Sequence, residues 1–246
     1  MTEVESQLAS YGESGYLVVT SGLTADQVGV ANDAVDRDLV ENPLLWKSRS
    51  PVCQQNVNVL MARPELDFTM RPPNLLPLMT GIMGIDLCAE EHSVMLRAPN
   101  PDGPTECDWH RDRTTERAGP YRTGYLSVVF YLTDVDDSTH TFSVIPGSCG
   151  DDDLPDLDTY DFDSAHHITG PAGTAILFNA ALFHAGNVRI TTAERRTIHI
   201  YCGRTSSPPL SEFTIFPPRL WHGEDEPTRK YYSKLNTISN LVLNNT

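Results

Sequence analysis

Between residues 92 and 203 the chain breaks into short segments rich in Val, Ile, Phe, Tyr and Thr, at 92–97, 107–111, 123–133, 141–145, 173–178, 181–184 and 194–203. Gly or Pro stands between several of them, and no long helix fits in the gaps. Strands that follow one another without crossover helices pair antiparallel, so the pattern predicts a β-sandwich or jelly roll, mainly β with helices packed on it. The first third reads differently. Glu3 to Glu13 has helical character, and Gly15-Tyr-Leu-Val-Val then reads as a strand. Thr24 is a helix N-cap with Gln27 completing a capping box, and Val28, Ala31, Ala34 and Val35 supply the apolar stripe after it. Asn74 to Gly81 predicts a short helix ending at its glycine. Beyond Ser207 the tail is proline-marked and is predicted helical from Thr228 to Leu243. No internal repeat is visible. The chain therefore reads as one domain over 1–246: a helical region over 1–90, a strand-rich core over about 91–205, and a tail over 206–246.

Charge narrows the partners. Thirty-three acidic residues against 18 Lys and Arg give a net charge of −15 and a pI near 4.8. Such a surface repels phosphate backbones and anionic lipid, so neither nucleic acid nor membrane is an expected partner. The N-terminus, Met1-Thr-Glu-Val-Glu-Ser, has neither the basic region nor the apolar stretch of a secretory signal. The longest nearly apolar run, Gly173 to His184, is too short to span a bilayer. Cysteines 53, 88, 107, 149 and 202 are scattered and form no C-x-x-C pair, which fits a reducing compartment and gives no structural zinc site. The expectation is a soluble, cytoplasmic protein; the sequence carries no sign of its oligomeric state.

Chemistry is concentrated in few places. His110-Arg111-Asp112 is an H-x-D match, which alone is a common accident. On a strand, however, His110 and Asp112 share one face, as two ligands to one metal must. A second histidine from a distant strand would complete the two-histidine, one-carboxylate triad that leaves positions open on iron. His184 closes an apolar run and is the candidate, in competition with His140, His166, His167, His199 and His222. His222-Gly-Glu224 forms another His-x-acid pair, but beyond the strand-rich region. Past His184, Arg195-Arg196-Thr197 opens a strand. Arg195 and Thr197 share a face, and a guanidinium beside a hydroxyl suits the far carboxylate of a dicarboxylate cosubstrate. From Cys53 to Met61 the chain alternates as a strand with Gln54, Asn56 and Asn58 on one side, either a solvated edge or the lining of a cavity. Seven aspartates between Gly150 and Ser164 mark a loop that is either a lid or a solvated excursion.

At these residues the sequence resembles the phytanoyl-CoA dioxygenase family of iron(II)/2-oxoglutarate oxygenases, from Tyr16-Leu-Val-Val to about Arg204. The likeness is carried by Arg97-Ala-Pro-Asn-Pro, Trp109-His110-Arg111-Asp112, Leu126 to Val135, Ile145-Pro-Gly-Ser148, Gly173 to Asn179, His184-Ala-Gly-Asn187 and Arg195-Arg-Thr197, in that order. It implies a double-stranded β-helix, a cupin-like jelly roll. It also implies Fe(II) held by His110, Asp112 and His184, and 2-oxoglutarate clamped by Arg195 with Thr197. Asn58 or Asn56 is expected on the cosubstrate. O₂ is the second cosubstrate, and succinate and CO₂ are released as a small-molecule substrate is hydroxylated or otherwise oxidised. A carboxylate at 112 argues against halogenation, because it fills the position a halide would take. Arg97 replaces a common lysine; with Trp109 and Arg113 it is expected in the substrate pocket, and Arg97, Arg113, Arg117 and Arg122 can form a basic rim. Two other readings stay open at this point: a jelly-roll metalloenzyme that does not use 2-oxoglutarate, and a non-catalytic ligand-binding relative.

Overall fold

Two antiparallel sheets face each other in the computed structural model, which describes residues 2–114, 117, 119–150, 154–211 and 213–244, the side chains of the last two excepted. The strands are β1 (Tyr16–Val19), β2 (Lys47–Ser50), β3 (Cys53–Asn56), β4 (Leu87–Arg97), β5 (Glu106–Cys107), β6 (Leu126–Tyr131), β7 (Thr141–Val144), β8 (His166–Ile168), β9 (Ala175–Asn179), β10 (His184–Val188) and β11 (Arg195–Arg204). The larger sheet runs β1-β9-β6-β11-β4-β3-β2, and the smaller runs β5-β10-β7-β8. This is the jelly roll that the short, helix-free segments predict.

Residue parity in the central strands divides the core. In β6, Leu126, Val128 and Phe130 join a cluster with the helices, whereas Val129 and Tyr131 pack with Phe142, Val144 and Ile168 of the smaller sheet. All six residues of β6 are buried, as a strand covered on both faces must be. The helices α1 (Glu3–Ser14), α2 (Ala25–Glu41), α3 (Val59–Ala62) and α4 (Leu76–Met83) contribute to the first cluster, α2 through the predicted Ala31, Ala34 and Val35. Thr24 Oγ1 accepts a hydrogen bond from Gln27 N at 3.2 Å and Thr24 N donates to Gln27 Oε1 at 2.9 Å, so the capping box is real.

Three expectations change. The helix predicted over 74–81 runs on to Met83 and stops at Gly84, whose φ of 78° suits glycine. Gly81 instead makes room for Leu8, which a Cβ there would displace. The tail forms two helices, α5 (Glu226–Tyr231) and α6 (Thr237–Asn244). Between them Asn236 caps Ser239 N at 2.8 Å and ends the continuous reading. The strand predicted over 53–61 ends at Asn56, and the chain turns into α3. Aspartates 151–153 of the acidic loop lie outside the described residues. No helix of the described residues is long and apolar enough to cross a membrane.

Candidate active site

Backbone pairing places the first two candidate ligands side by side. His110 N donates to His184 O and His184 N donates to His110 O, each at 3.0 Å, an isolated bridge extending β10. The 107–111 segment is therefore strand only at Glu106–Cys107 and at this bridge. Asp112 N is held by Ala180 O at 2.9 Å. One ligand atom each from His110, Asp112 and His184 lies within 4.8 Å of the others. His110 Nδ1 meets Asp108 O at 2.9 Å and His184 Nδ1 meets Leu182 O at 3.0 Å. Those carbonyls take the Nδ1 hydrogens, so both Nε2 lone pairs face Asp112, at 3.6 and 3.4 Å.

The electrostatics are those of a cation site. Burial alone would raise the Asp112 carboxyl, but His184, Tyr201 and His110 outweigh it and hold the group at about 2. For His184 burial works downward and Asp112 reverses it, leaving the ring above its usual value. Tyr201 Oη donates to Asp112 Oδ2 at 2.8 Å and fixes the carboxylate. His110 remains partly open, its side chain 47% exposed. Two imidazole nitrogens and one carboxylate oxygen suit iron(II) and leave positions free for other ligands.

Beside the triad lies a cavity of about 420 Å³. Its wall is one parity of β11, with Arg195, His199 and Tyr201, and one parity of β4, with Glu91, Ser93, Met95 and Arg97. Thr197 sits between them, its Oγ1 2.9 Å from His199 Nε2. Arg195 is 3% exposed, and its Nε and Nη1 are buried without a hydrogen-bond partner. Burial, then the like charge of Arg97 directly across the ladder, pull the Arg195 guanidinium down to about 10. A buried and a half-buried guanidinium with unpartnered N–H groups on one cavity wall call for an anion. Gly186 makes this possible, because any Cβ there would collide with Arg97 Nη2.

The cosubstrate role expected for Asn56 and Asn58 is corrected. Asn56 is buried against Asp38 Oδ2 at 2.8 Å, and Asn58 Oδ1 accepts from Ile215 N at 2.8 Å. The cavity is lined by Gln55 and Val57 instead. Trp109 is also outside the lining; its ring packs toward Phe162, 5.8 Å away. Arg97 and Arg113 do line the cavity, while Arg117 bonds Cys149 O and Arg122 bonds Gly150 O, away from it. Arg111, pointing opposite to the ligands, donates to Pro155 O at 2.8 Å and Ser148 O at 2.9 Å, fastening the acidic loop. No described residue of that loop reaches the cavity wall. Of the competing histidines, His140 bonds Ala98 O, His166 bonds Tyr16, His167 bonds Ser143, and His222 is exposed. From the sequence His199 reads only as a rival metal ligand, and Tyr201 was missed, although the strand alternation that pairs Arg195 with Thr197 continues to both. Burial and then Arg195 hold the His199 ring down at about 3, so it is neutral.

A jelly roll whose cavity gathers two histidines and one carboxylate defines the class of non-haem iron oxygenases. Within that class, the chain belongs to the phytanoyl-CoA dioxygenase (PhyH) family, whose model matches residues 11–197. No curated protein matches it in sequence. Solved structures similar to it include the epimerase SnoN of nogalamycin biosynthesis, in complex with Fe³⁺, alpha ketoglutarate and nogalamycin RO. That likeness has 16% identity and a TM-score of 0.72 and covers 96% of each chain. HygX from Streptomyces hygroscopicus, with nickel, 2-oxoglutarate and hygromycin B bound, matches at 17% identity and TM-score 0.68, over 85% of this chain and 90% of that one. The carbocyclase SnoK matches at 15% identity and TM-score 0.68, over 83% and 85%. These likenesses establish the shared fold. Family and site together make the chain a non-haem iron- and 2-oxoglutarate-dependent oxygenase.

Proposed function

We propose that His110 Nε2, a carboxylate oxygen of Asp112 and His184 Nε2 hold iron(II), that Arg195 assisted by Thr197 binds the far carboxylate of 2-oxoglutarate, and that the enzyme hydroxylates a small natural-product-like metabolite. The observation that carries this reading is the buried Arg195 guanidinium, unpartnered at Nε and Nη1, on the wall of the cavity that the metal-ligand cluster borders. Bound iron(II) supplies the redox chemistry that couples 2-oxoglutarate and O₂ to succinate, CO₂ and oxidised substrate.

The chain's own groups do the positioning. The carbonyls of Asp108 and Leu182 fix the tautomer of both histidines. Tyr201 orients Asp112. With Nε2–H of His199 donated to Thr197 Oγ1, the threonine keeps its own hydrogen for the cosubstrate carboxylate. Phe142 and Phe178, whose rings lie 5.5 and 4.7 Å from that of His184, keep water from one side of the site. A free metabolite fits better than an acyl-CoA: the net charge of −15 disfavours a polyanion. HygX and SnoN hold hygromycin B and nogalamycin RO, which supports a substrate of that kind for this fold.

Anaerobic titration with iron(II) and 2-oxoglutarate tests the assignment. The visible charge-transfer band of the chelate should form with wild-type protein and be lost in His184→Ala and in Arg195→Ala. A folded wild-type protein that gives no band rules the reading out.

A further inference from the structure

Glu90 and Glu91 are consecutive on β4 and live in opposite circumstances. A register shift pairs Tyr201 with Glu91 and Cys202 with Ala89, so Glu90 is the extra residue of a bulge. Its buried carboxylate is compensated by Lys234 Nζ and by Leu210 N at 2.9 Å. Glu91 turns the other way, into the cavity. Ser211 acts on its carboxyl, and among the described residues it makes no ion pair. Tyr201, opposite it in the ladder, has already given its hydrogen to Asp112 Oδ2. Arg49 of β2 and Arg113 line the same cavity, and Arg49 pulls the Glu91 carboxyl down without forming an ion pair with it. Burial raises the Glu91 carboxyl, Ser211 pulls it back, Asp112 pushes it up again, and Arg49 offsets part of the rise.

The β4–β11 ladder sorts charge along the cavity. Arg97 faces Arg195 at one end; Glu91 faces Tyr201 at the other. Six residues of strand separate the ends, roughly 20 Å. The cationic end suits the cosubstrate's carboxylate. The acidic end adjoins the triad, since Tyr201 touches Asp112, and no cation of the described residues forms an ion pair with Glu91. A hydroxyl on a ligand would hydrogen-bond Glu91 and still leave its half-buried carboxylate without a contacting cation, whereas an ammonium group supplies both. We propose that the organic substrate carries a protonated amine, which Glu91 binds beside the metal site. The proposal rests on the cavity being the oxygenase active site, but its test needs neither iron nor 2-oxoglutarate.

The full chain, free of metal, is titrated at neutral pH with benzylammonium and with the neutral benzyl alcohol, by ligand-observed NMR or calorimetry. Wild-type protein should bind the ammonium at least about tenfold tighter, the scale of a charge-assisted hydrogen bond. Glu91→Gln should bring the ratio close to one, and Glu91→Asp should keep part of it. Asp112→Asn should retain the preference. The proposal is overturned if wild-type protein shows no preference, if Glu91→Gln keeps it, or if it vanishes in Asp112→Asn. Failure of 2-oxoglutarate to bind while the amine preference persists would instead overturn the oxygenase reading alone.

Discussion

Two buried arginines sit on either side of the larger sheet, and their surroundings could hardly differ more. Arg63 donates to Asp38 Oδ1 at 3.1 Å and to Glu41 Oε2 at 2.6 Å. Asp38 in turn accepts from Asn42, Trp46 and Asn56 at 2.8, 3.0 and 2.8 Å. Each of these polar groups finds its match within the chain. Arg195 is equally buried, faces another arginine, and has N–H groups with no acceptor. A closed network holds a fold together; an open one has been left incomplete for something that binds.

The contrast can be broken by substitution. Asp38→Ala strands Arg63 and should cost about 3–5 kcal/mol in denaturant-measured stability. Arg195→Met should cost no stability, or even add about 1 kcal/mol, because it removes an uncompensated buried cation. It should weaken 2-oxoglutarate binding about ten- to hundredfold, measured by calorimetry on the iron-loaded protein. If Arg195→Met instead unfolds the protein, the two arginines are alike after all. Asn56→Ala separates the regions again, with a loss of about 1–2 kcal/mol in stability and unchanged 2-oxoglutarate affinity.

A pH-dependent effect comes from His92, on the closed side. Burial holds its ring down at about 3, and its Nδ1 has no partner. The folded state therefore excludes a proton that the unfolded chain takes up near pH 6.5. Its stabilising share is complete above that pH and is lost as pH falls towards 3, at about 1 kcal/mol per pH unit. Denaturation curves at stepped pH should show this slope, and His92→Gln should flatten it.

Much of the site was legible because strand alternation is a strict rule. His110 with Asp112, and Arg195 with Thr197, needed only a period of two. The same rule misled at Asn56. Alternation separates two faces without saying which one meets the cavity, and that is settled by the partner strand. Asn56 pairs with Val94, which faces the core, and Gln55 pairs with Met95, which faces the cavity. Glu91 was missed for a simpler reason: the strand predicted from the sequence starts at 92, one residue past it, although Glu91 shares the parity of Ser93, Met95 and Arg97. The capping box at Thr24 is local and survived intact, whereas the break between α5 and α6 depends on Asn236 finding Thr214 O, 22 residues away.

The anchoring of the tail has an evolutionary side. The family likeness ends at residue 197, yet Leu210, Ser211 and Phe213 form part of the cavity wall. They are fastened by Glu90, whose carboxylate takes Leu210 N and Lys234 Nζ, and by Tyr125, whose hydroxyl donates to Pro208 O at 2.6 Å. Leu210, Ser211 and Phe213 thus shape one stretch of the cavity wall from outside the family match, while His110, Asp112 and His184 lie within it.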